Sequence, residues 1–537
     1  MRLLFLSLAF FIFSTIMSET KVVASSKDVG RIFTNPMMWA DVPDPDVIRV
    51  GKDFYLVSTT MHLMPGAPIM RSRNLVNWET VGYLFDRLDD TPRYNLSNAK
   101  EGTVYGRGQW ATSLRYHEGT YYAYFSPNDT PYKGYLYKTK NPAGKWELHS
   151  RLPHFHDASL FFDDDDKAYV FYGTGELVQL NDALTGIQPG TQKMRLFERD
   201  STETGLLEGS RVIKHEGRYY LLMISWPNGG KRRQVCYRSN RITGPYEKKI
   251  ILEDNFDGFG YVGQGCIVDD SRGNWYGVIF QDRGGVGRVL TLMPCRWVEG
   301  WPMLGDEQGR VPKTMSVPGP ATKESPLVIS DDFSGKQLKK SWQWNHNCVN
   351  DAWSLKARRG WLRLKTVGVA DNLYTASNTI TQRMEGPLCS GIIAVDVTHM
   401  ANGDRAGFAA FNGHSGILSI QADSGKKRLV MTESVVEFDD ATKCIRDVKE
   451  VEKESIQLSV DRIYLRIDAD FRLGQDLATF YYSYDNLHWT KIGSDFKMRF
   501  DYRKMFMGTK FAIFNYATLH LDGYIDVDFF EYKHHKQ

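Results

Sequence analysis

Residues 47–59 read VIRVGKDFYLVST: two short runs of strand-forming residues set either side of a Gly-Lys turn. That is the pattern of a β-hairpin, and it recurs. Copies begin at Ser113 (SLRYHEGTYYAYFS), Ser159 (SLFFDDDDKAYVFYG), Arg211 (RVIKHEGRYYLLMIS) and Cys266 (CIVDDSRGNWYGVIFQ). Further strand-like sequence follows the hairpins, several times ending in Trp or Tyr, as in IMRSRNLVNWE and QVCYRSNRITGPYEK. Successive copies lie about 45–65 residues apart, the range of propeller blades. No segment sustains a 3.6-residue apolar period, so long helices are not expected. Five hairpin-led units predict an all-β fold with a five-bladed β-propeller over residues 25–312.

Outward from the repeat, residues 313–326 are rich in proline (Pro318, Pro320, Pro326) and read as an extended linker. From 327 to 537, alternating segments such as WLRLKT, GIIAVDV, RIYLRIDA and YIDVDFF predict an antiparallel β-sandwich. At the other end, Arg2 precedes an apolar run over residues 3–17, with small residues up to Ala24. Residues 1–24 read as a secretory signal peptide, too short to span a bilayer as a helix. No cysteine follows to take a lipid, so the expectation is a soluble protein, exported to a periplasm or secreted. The 537-residue chain carries 42% hydrophobic and 24% charged residues, which excludes a disordered or collagen-like chain. Its formal charge of +3, without a long basic block, argues against a nucleic-acid partner. With 28 Tyr, 29 Phe and 13 Trp it is rich in residues that suit strands and whose flat faces suit sugars. The cysteines at 236, 266, 295, 348, 389 and 444 are scattered without zinc-ligand spacing, and most read as buried strand residues.

The innermost strand of each propeller blade starts near one mouth of the central channel, so residues just before those strands converge. These are Asp44, Gln109-Trp110, Asp157, Glu208 and Gly263-Gln264. Three are carboxylic acids beside a Trp. Close acids disfavour simultaneous ionisation, and a protonated acid facing an ionised base is the pair that glycosidic hydrolysis needs. The same residues could cage Ca²⁺ or cap turns. Asp41 and Asp46 flank Asp44 in DVPDPD, so spacing leaves the identity of the first acid open. Arg288 in RGGVGRVL and His62 in STTMHLMPGAP are further candidates for lining the mouth. Residues 163–166, four aspartates, read as a solvated hairpin turn.

NPMMWADVPDPDVIRVGKDFYLVSTT, HDASLFF, LLEGSRVIKHEGRYYLL and FQDRGGVGRVLTLMPCRWVEGWPMLG together resemble glycoside hydrolase family 43 in its two-domain form. The resemblance implies a propeller followed by a concanavalin-like sandwich, and inverting, exo-acting β-xylosidase or α-L-arabinofuranosidase activity. It implies Asp44 as general base, Glu208 as general acid and Asp157 as the residue that orients the acid and tunes its pKa. Trp110, Arg288, His62 and Gln264 fall at substrate-binding positions, and Phe511 is the candidate for a sandwich aromatic that closes the pocket. Many relatives have His-Gln-Gly where this chain has Gly263-Gln264-Gly265, so no metal is expected at the active site and no cofactor is required. Asp331, Asp332 and Asp528 resemble a structural Ca²⁺ site of such sandwiches. The expected activity is removal of terminal α-L-arabinofuranosyl residues from plant polysaccharide side chains of the xyloglucan or arabinoxylan type. The alternatives are a β-D-xylosidase acting on xylo-oligosaccharides and a catalytically weak carbohydrate-binding protein.

Overall fold

A computed structural model describes residues 31–96, 99–129 and 132–535. The expected leader at residues 1–24 lies outside the described residues. Glu118-Gly119 and Glu216-Gly217 both take positive φ at two successive residues (45° and 76°, 48° and 74°). Those are type I′ turns, whose twist matches the strands they join. Each hairpin opens a four-stranded antiparallel sheet in simple up-and-down order, and five such sheets follow one another from Asp46 to Leu304. Among the described residues the helical segments are short 3₁₀ turns, and no helix is long and apolar enough to cross a membrane.

The aromatic residues sit where adjacent blades face each other. Blades one and two share a buried cluster of Tyr55, Phe85, Tyr121, Phe125 and Tyr137. Blades three and four share one with Phe161, Phe171, Tyr219 and Tyr237. Large flat side chains fill the wedge between twisted sheets, which small aliphatics would leave open. The ring closes between blades five and one through Val47, Leu56, Cys266, Val278 and Leu292. Arg49 reaches Asp269 across the same seam at 2.6 Å. Four cysteines (Cys236, Cys266, Cys295, Cys389) are buried strand residues, as expected.

The proline-rich segment is more than a spacer. Thr314–Ser316 pairs antiparallel with Ile32–Thr34, so the segment straps the start of the propeller to its end. The second domain is a sandwich of two large antiparallel sheets. Its outermost strand on one sheet, Leu63–Met64, comes from blade one and pairs with Gln343–Asn345. The two domains therefore share a sheet, and Met61, Leu63, Tyr105, Tyr374, Phe411 and Phe514 share one apolar cluster across the boundary.

Candidate active site

The inner strands are stitched together by one repeated contact. In each blade the residue just before the first apolar position points into the channel: Asp46, Ser113, Ser159, Arg211 and Cys266. The Leu114 N–H donates to Asp46 Oδ2 (2.9 Å), Leu160 N–H to Ser113 Oγ (2.9 Å) and Val212 N–H to Ser159 Oγ (3.0 Å). Val47 N–H closes the circle on Cys266 Sγ at 3.2 Å. The fifth such residue, Arg211, is fully buried and fills the channel, donating to the carbonyls of Asp44 (3.1 Å), Pro45 (3.4 Å) and Thr112 (3.3 Å). Asp46 lies 3.6 Å from Arg211 and 2.7 Å from Arg115, so its charge is compensated inside the channel. Asp41 turns away: its carboxylate accepts from the N–H groups of Arg288 (2.9 Å) and Gly508 (3.0 Å) and faces Lys510 at 3.3 Å. Of the three aspartates in DVPDPD, Asp44 is the one left at the mouth.

Backbone strain marks the same level of the ring. Asp44, Asp157 and Gln264, each three residues before the first apolar position, have φ of 54°, 46° and 75°, and Gly209 has 74°. Non-glycine residues enter this region at a cost and collect at functional sites. In blade four the acid stands one residue earlier, at Glu208. A register shift between Glu208 and Arg211 supplies the extra residue, a bulge that re-aims the side chain. Arg288 reaches Asp44 Oδ1 at 3.3 Å and the Phe506 carbonyl at 3.0 Å, tying the first acid to the sandwich domain. Gly209 N–H donates to Asp157 Oδ2 at 3.1 Å.

His156 completes the cluster. Its Nε2 lies 3.2 Å from Glu208 Oε2 and 3.9 Å from Asp157 Oδ2. Burial pushes Asp157 up to about 7; the charges of Glu208 and Asp44 add to this, and His156 opposes it. The Asp157 charge, then the hydrogen bond to Glu208, raise His156 to about 9. Both shifts favour protonation of His156 and Asp157 beside an oxygen-rich mouth. Trp110 forms the next wall, with its Nε1 on the Gly106 carbonyl at 3.2 Å and its ring 6.1 Å from that of His156 and 5.8 Å from Phe506. The arrangement offers a proton donor, a buried carboxylate held by an arginine, and an aromatic wall. That is the equipment of glycoside hydrolysis.

Residues 33–302 match the family model for glycosyl hydrolases family 43, and residues 330–533 match that of the beta xylosidase C-terminal concanavalin A-like domain. The chain belongs to glycosyl hydrolase family 43. It is 29% identical to a beta-xylosidase of Formosa agariphila, covering 96% of this chain and 94% of that one. It is 31% identical to a non-reducing end alpha-L-arabinofuranosidase of Bacteroides ovatus over 64% of this chain and 66% of the relative. Among solved structures, a bifunctional GH43-CE protein of Bacteroides eggerthii superposes with a TM-score of 0.86 at 40% identity. That match covers 95% of this chain and 64% of the larger protein, so the chain spans about two-thirds of its length.

Within this family 43 site, Asp44, Asp157, Glu208, Trp110 and Arg288 gather as the sequence suggests. Gln264 lies against the acid's blade: a Cβ on Gly209 would sit 2.9 Å from its side chain. Two expectations need correction. Phe511 does not close the pocket; it is fully buried in the sandwich, stacked 5.6 Å from Phe408. The sandwich aromatic at the mouth is Phe506, five residues earlier, in a left-handed conformation (φ 56°) with its ring against Trp110 and 4.4 Å from the Arg288 guanidinium. His62 does not line the mouth. It is fully buried between Tyr105 and His346, accepting from the Gly106 N–H at 3.3 Å. The expected Ca²⁺ ligands are also otherwise engaged: Asp331 faces Lys339 and Trp342, Asp332 accepts from Ser334, and Asp528 pairs with Arg462. Among the described residues, a cation at the mouth would find His156, Asp157 and Glu208 within reach of one another, but only by displacing the protons that His156 and Asp157 favour. At Gly263 the aliphatic stem of Arg232 takes the space a side chain would need, 3.1 Å and 3.2 Å from an added Cβ. His156 was visible in HDAS, but its role depends on a contact with a residue 52 positions away.

Proposed function

We propose that the protein is an inverting, exo-acting glycosidase that releases single pentosyl residues from the non-reducing ends of plant cell-wall oligosaccharides. Asp44 acts as general base and activates water. Arg288 pairs with its carboxylate at 3.3 Å and fixes its position. Glu208 delivers the proton to the leaving oxygen, drawing on the store it shares with Asp157 and His156. The observation that carries this reading is the placement of one acid against Arg288 and another against a raised-pKa aspartate, on non-adjacent blades around one mouth. Inversion needs the base and acid about 6.5–9.5 Å apart, leaving room for the attacking water.

β-D-xylosyl is the first choice of glycon, supported by the beta-xylosidase relative that matches over nearly the whole chain. α-L-arabinofuranosyl, the expectation from sequence, is the second reading, supported by the Bacteroides ovatus relative. The test is a panel of aryl β-D-xyloside and aryl α-L-arabinofuranoside with product anomers followed by NMR. Asp44→Ala is expected to lower kcat at least 10²-fold on every substrate. Glu208→Ala should cost far less on aryl glycosides than on oligosaccharides, because a phenolate leaves without a proton. Retention of configuration, or a fully active Glu208→Ala enzyme on an oligosaccharide, would overturn the assignment.

A further inference from the structure

On the far side of the mouth from Trp110, an aromatic pair stands without a role in the chemistry above. Trp226 ends the second strand of blade four, opposite Leu206. Glu208 pairs with Ile224 on the same strands, so Trp226 stands one side-chain repeat, about 7 Å, farther out than the acid. Tyr261 comes immediately before the inner strand of blade five, Val262–Asp269. The two rings are 5.0 Å apart at 58°, and Tyr261 remains 47% exposed.

Two features show that this pair is built. Arg232 lies 4.9 Å from the Trp226 ring centre and 5.4 Å from that of Tyr261. Its guanidinium is anchored by Asp282 at 3.1 Å and by the Tyr261 carbonyl at 3.4 Å. Its stem passes over Gly263, where any side chain would displace it. Tyr261 itself has φ of 65°. A bulky aromatic in the left-handed region is strained, and such strain persists where the surroundings hold it for a purpose.

We propose that Trp226 and Tyr261, buttressed by Arg232, are the stacking platform for the leaving-group sugar, the second ring of the substrate. The inference rests on Glu208 being the general acid. The acid must face the bond between the released sugar and the next one, so the next ring lies on the acid's side of the mouth, and blades four and five form that side. Asp282 pairs with Arg232, which leaves the platform no free positive charge to favour a uronic acid over a neutral pyranose.

The test compares a xylo-oligosaccharide with the corresponding pentosyl fluoride, which has no second ring. In Tyr261→Gly and Trp226→Ala proteins, kcat/KM on the oligosaccharide is expected to fall about tenfold, mainly through KM, with that on the fluoride unchanged. Tyr261→Gly should at the same time keep or raise Tm, since glycine relieves the strained φ. Tyr261→Phe should behave as wild type. Equal losses on both substrates, or no loss on the oligosaccharide, would overturn the platform. If the wild-type protein hydrolyses neither substrate, the proposed activity fails instead. Calorimetric binding of xylo-oligosaccharide to the full chain then decides the platform: binding weakened by Tyr261→Gly supports it, and binding unaffected or undetectable overturns it.

Discussion

His156 sits between two carboxyl groups, 3.2 Å from Glu208 and 3.9 Å from Asp157. Its positive charge lowers Asp157, while burial and the neighbouring acids raise it. Removing the imidazole in His156→Ala takes away the lowering influence, so the carboxyl cluster should keep its proton to higher pH. The alkaline limb of the kcat/KM profile is then expected to move up by about one pH unit. A limb that moved down would mean that the His156 proton, with its pKa near 9, is the one delivered. The acids themselves were legible in the sequence because a repeat places equivalent residues at equivalent heights. Which aspartate of DVPDPD serves was not, because Asp41, Asp44 and Asp46 differ only in what lies across from them. Lys510 and Gly508, Arg288, and Arg115 with Arg211 are the respective partners, all distant in sequence.

The blades depend on the side chains that link one inner strand to the next. Ser113 and Ser159 each accept a buried backbone N–H from the following blade. Alanine at either position leaves that N–H without its acceptor and is expected to cost about 1–3 kcal/mol. Cys266→Ala should cost less, since sulfur is the weaker acceptor of the Val47 N–H. Urea denaturation checks this: the midpoint should fall for both serine variants at unchanged m-value. Unchanged midpoints would mean that apolar packing between blades alone holds the ring. The hairpins were readable from their turn chemistry, Glu-Gly at two of the five. The bulge at Glu208 was not, because a one-residue register shift leaves no mark in an otherwise continuous strand pattern.

The two domains are joined structurally, since blade one lends the strand Leu63–Met64 to the sandwich sheet and the sandwich lends Phe506 to the propeller mouth. Two buried histidines lie on that boundary, His62 and His346, with rings 4.9 Å apart. Burial, with Lys510 nearby, pushes His62 down to about 3, and burial with His62 nearby holds His346 well below its usual range. Both are neutral in the folded protein at pH values where the unfolded chain already binds their protons. The share of stability that depends on this pair should therefore be full above about pH 6.5 and fall as pH drops below it, continuing towards pH 3. A His62→Gln variant should lose part of that dependence. Calorimetry is expected to show one transition for both domains, with Tm falling in acid. Two separate transitions would mean that the shared sheet does not couple them.

Repetition and alternation, both local properties, carry the blade count, the sandwich and the three acids in the sequence itself. They survive in one dimension because strand period and turn chemistry act over a few neighbouring residues. The aromatic at the mouth, the contacts of His156 with Glu208 and Asp157, the Arg232 stem over Gly263 and the fate of His62 were decided only by tertiary structure. Each depends on a pairing between residues tens to hundreds of positions apart. Phe506 and Phe511 show the limit most clearly: both are phenylalanines near the end of the chain. Phe506, with a left-handed φ, stands against Trp110 and Arg288, while strand pairing with Gln382 and Ala410 sends Phe511 into the core.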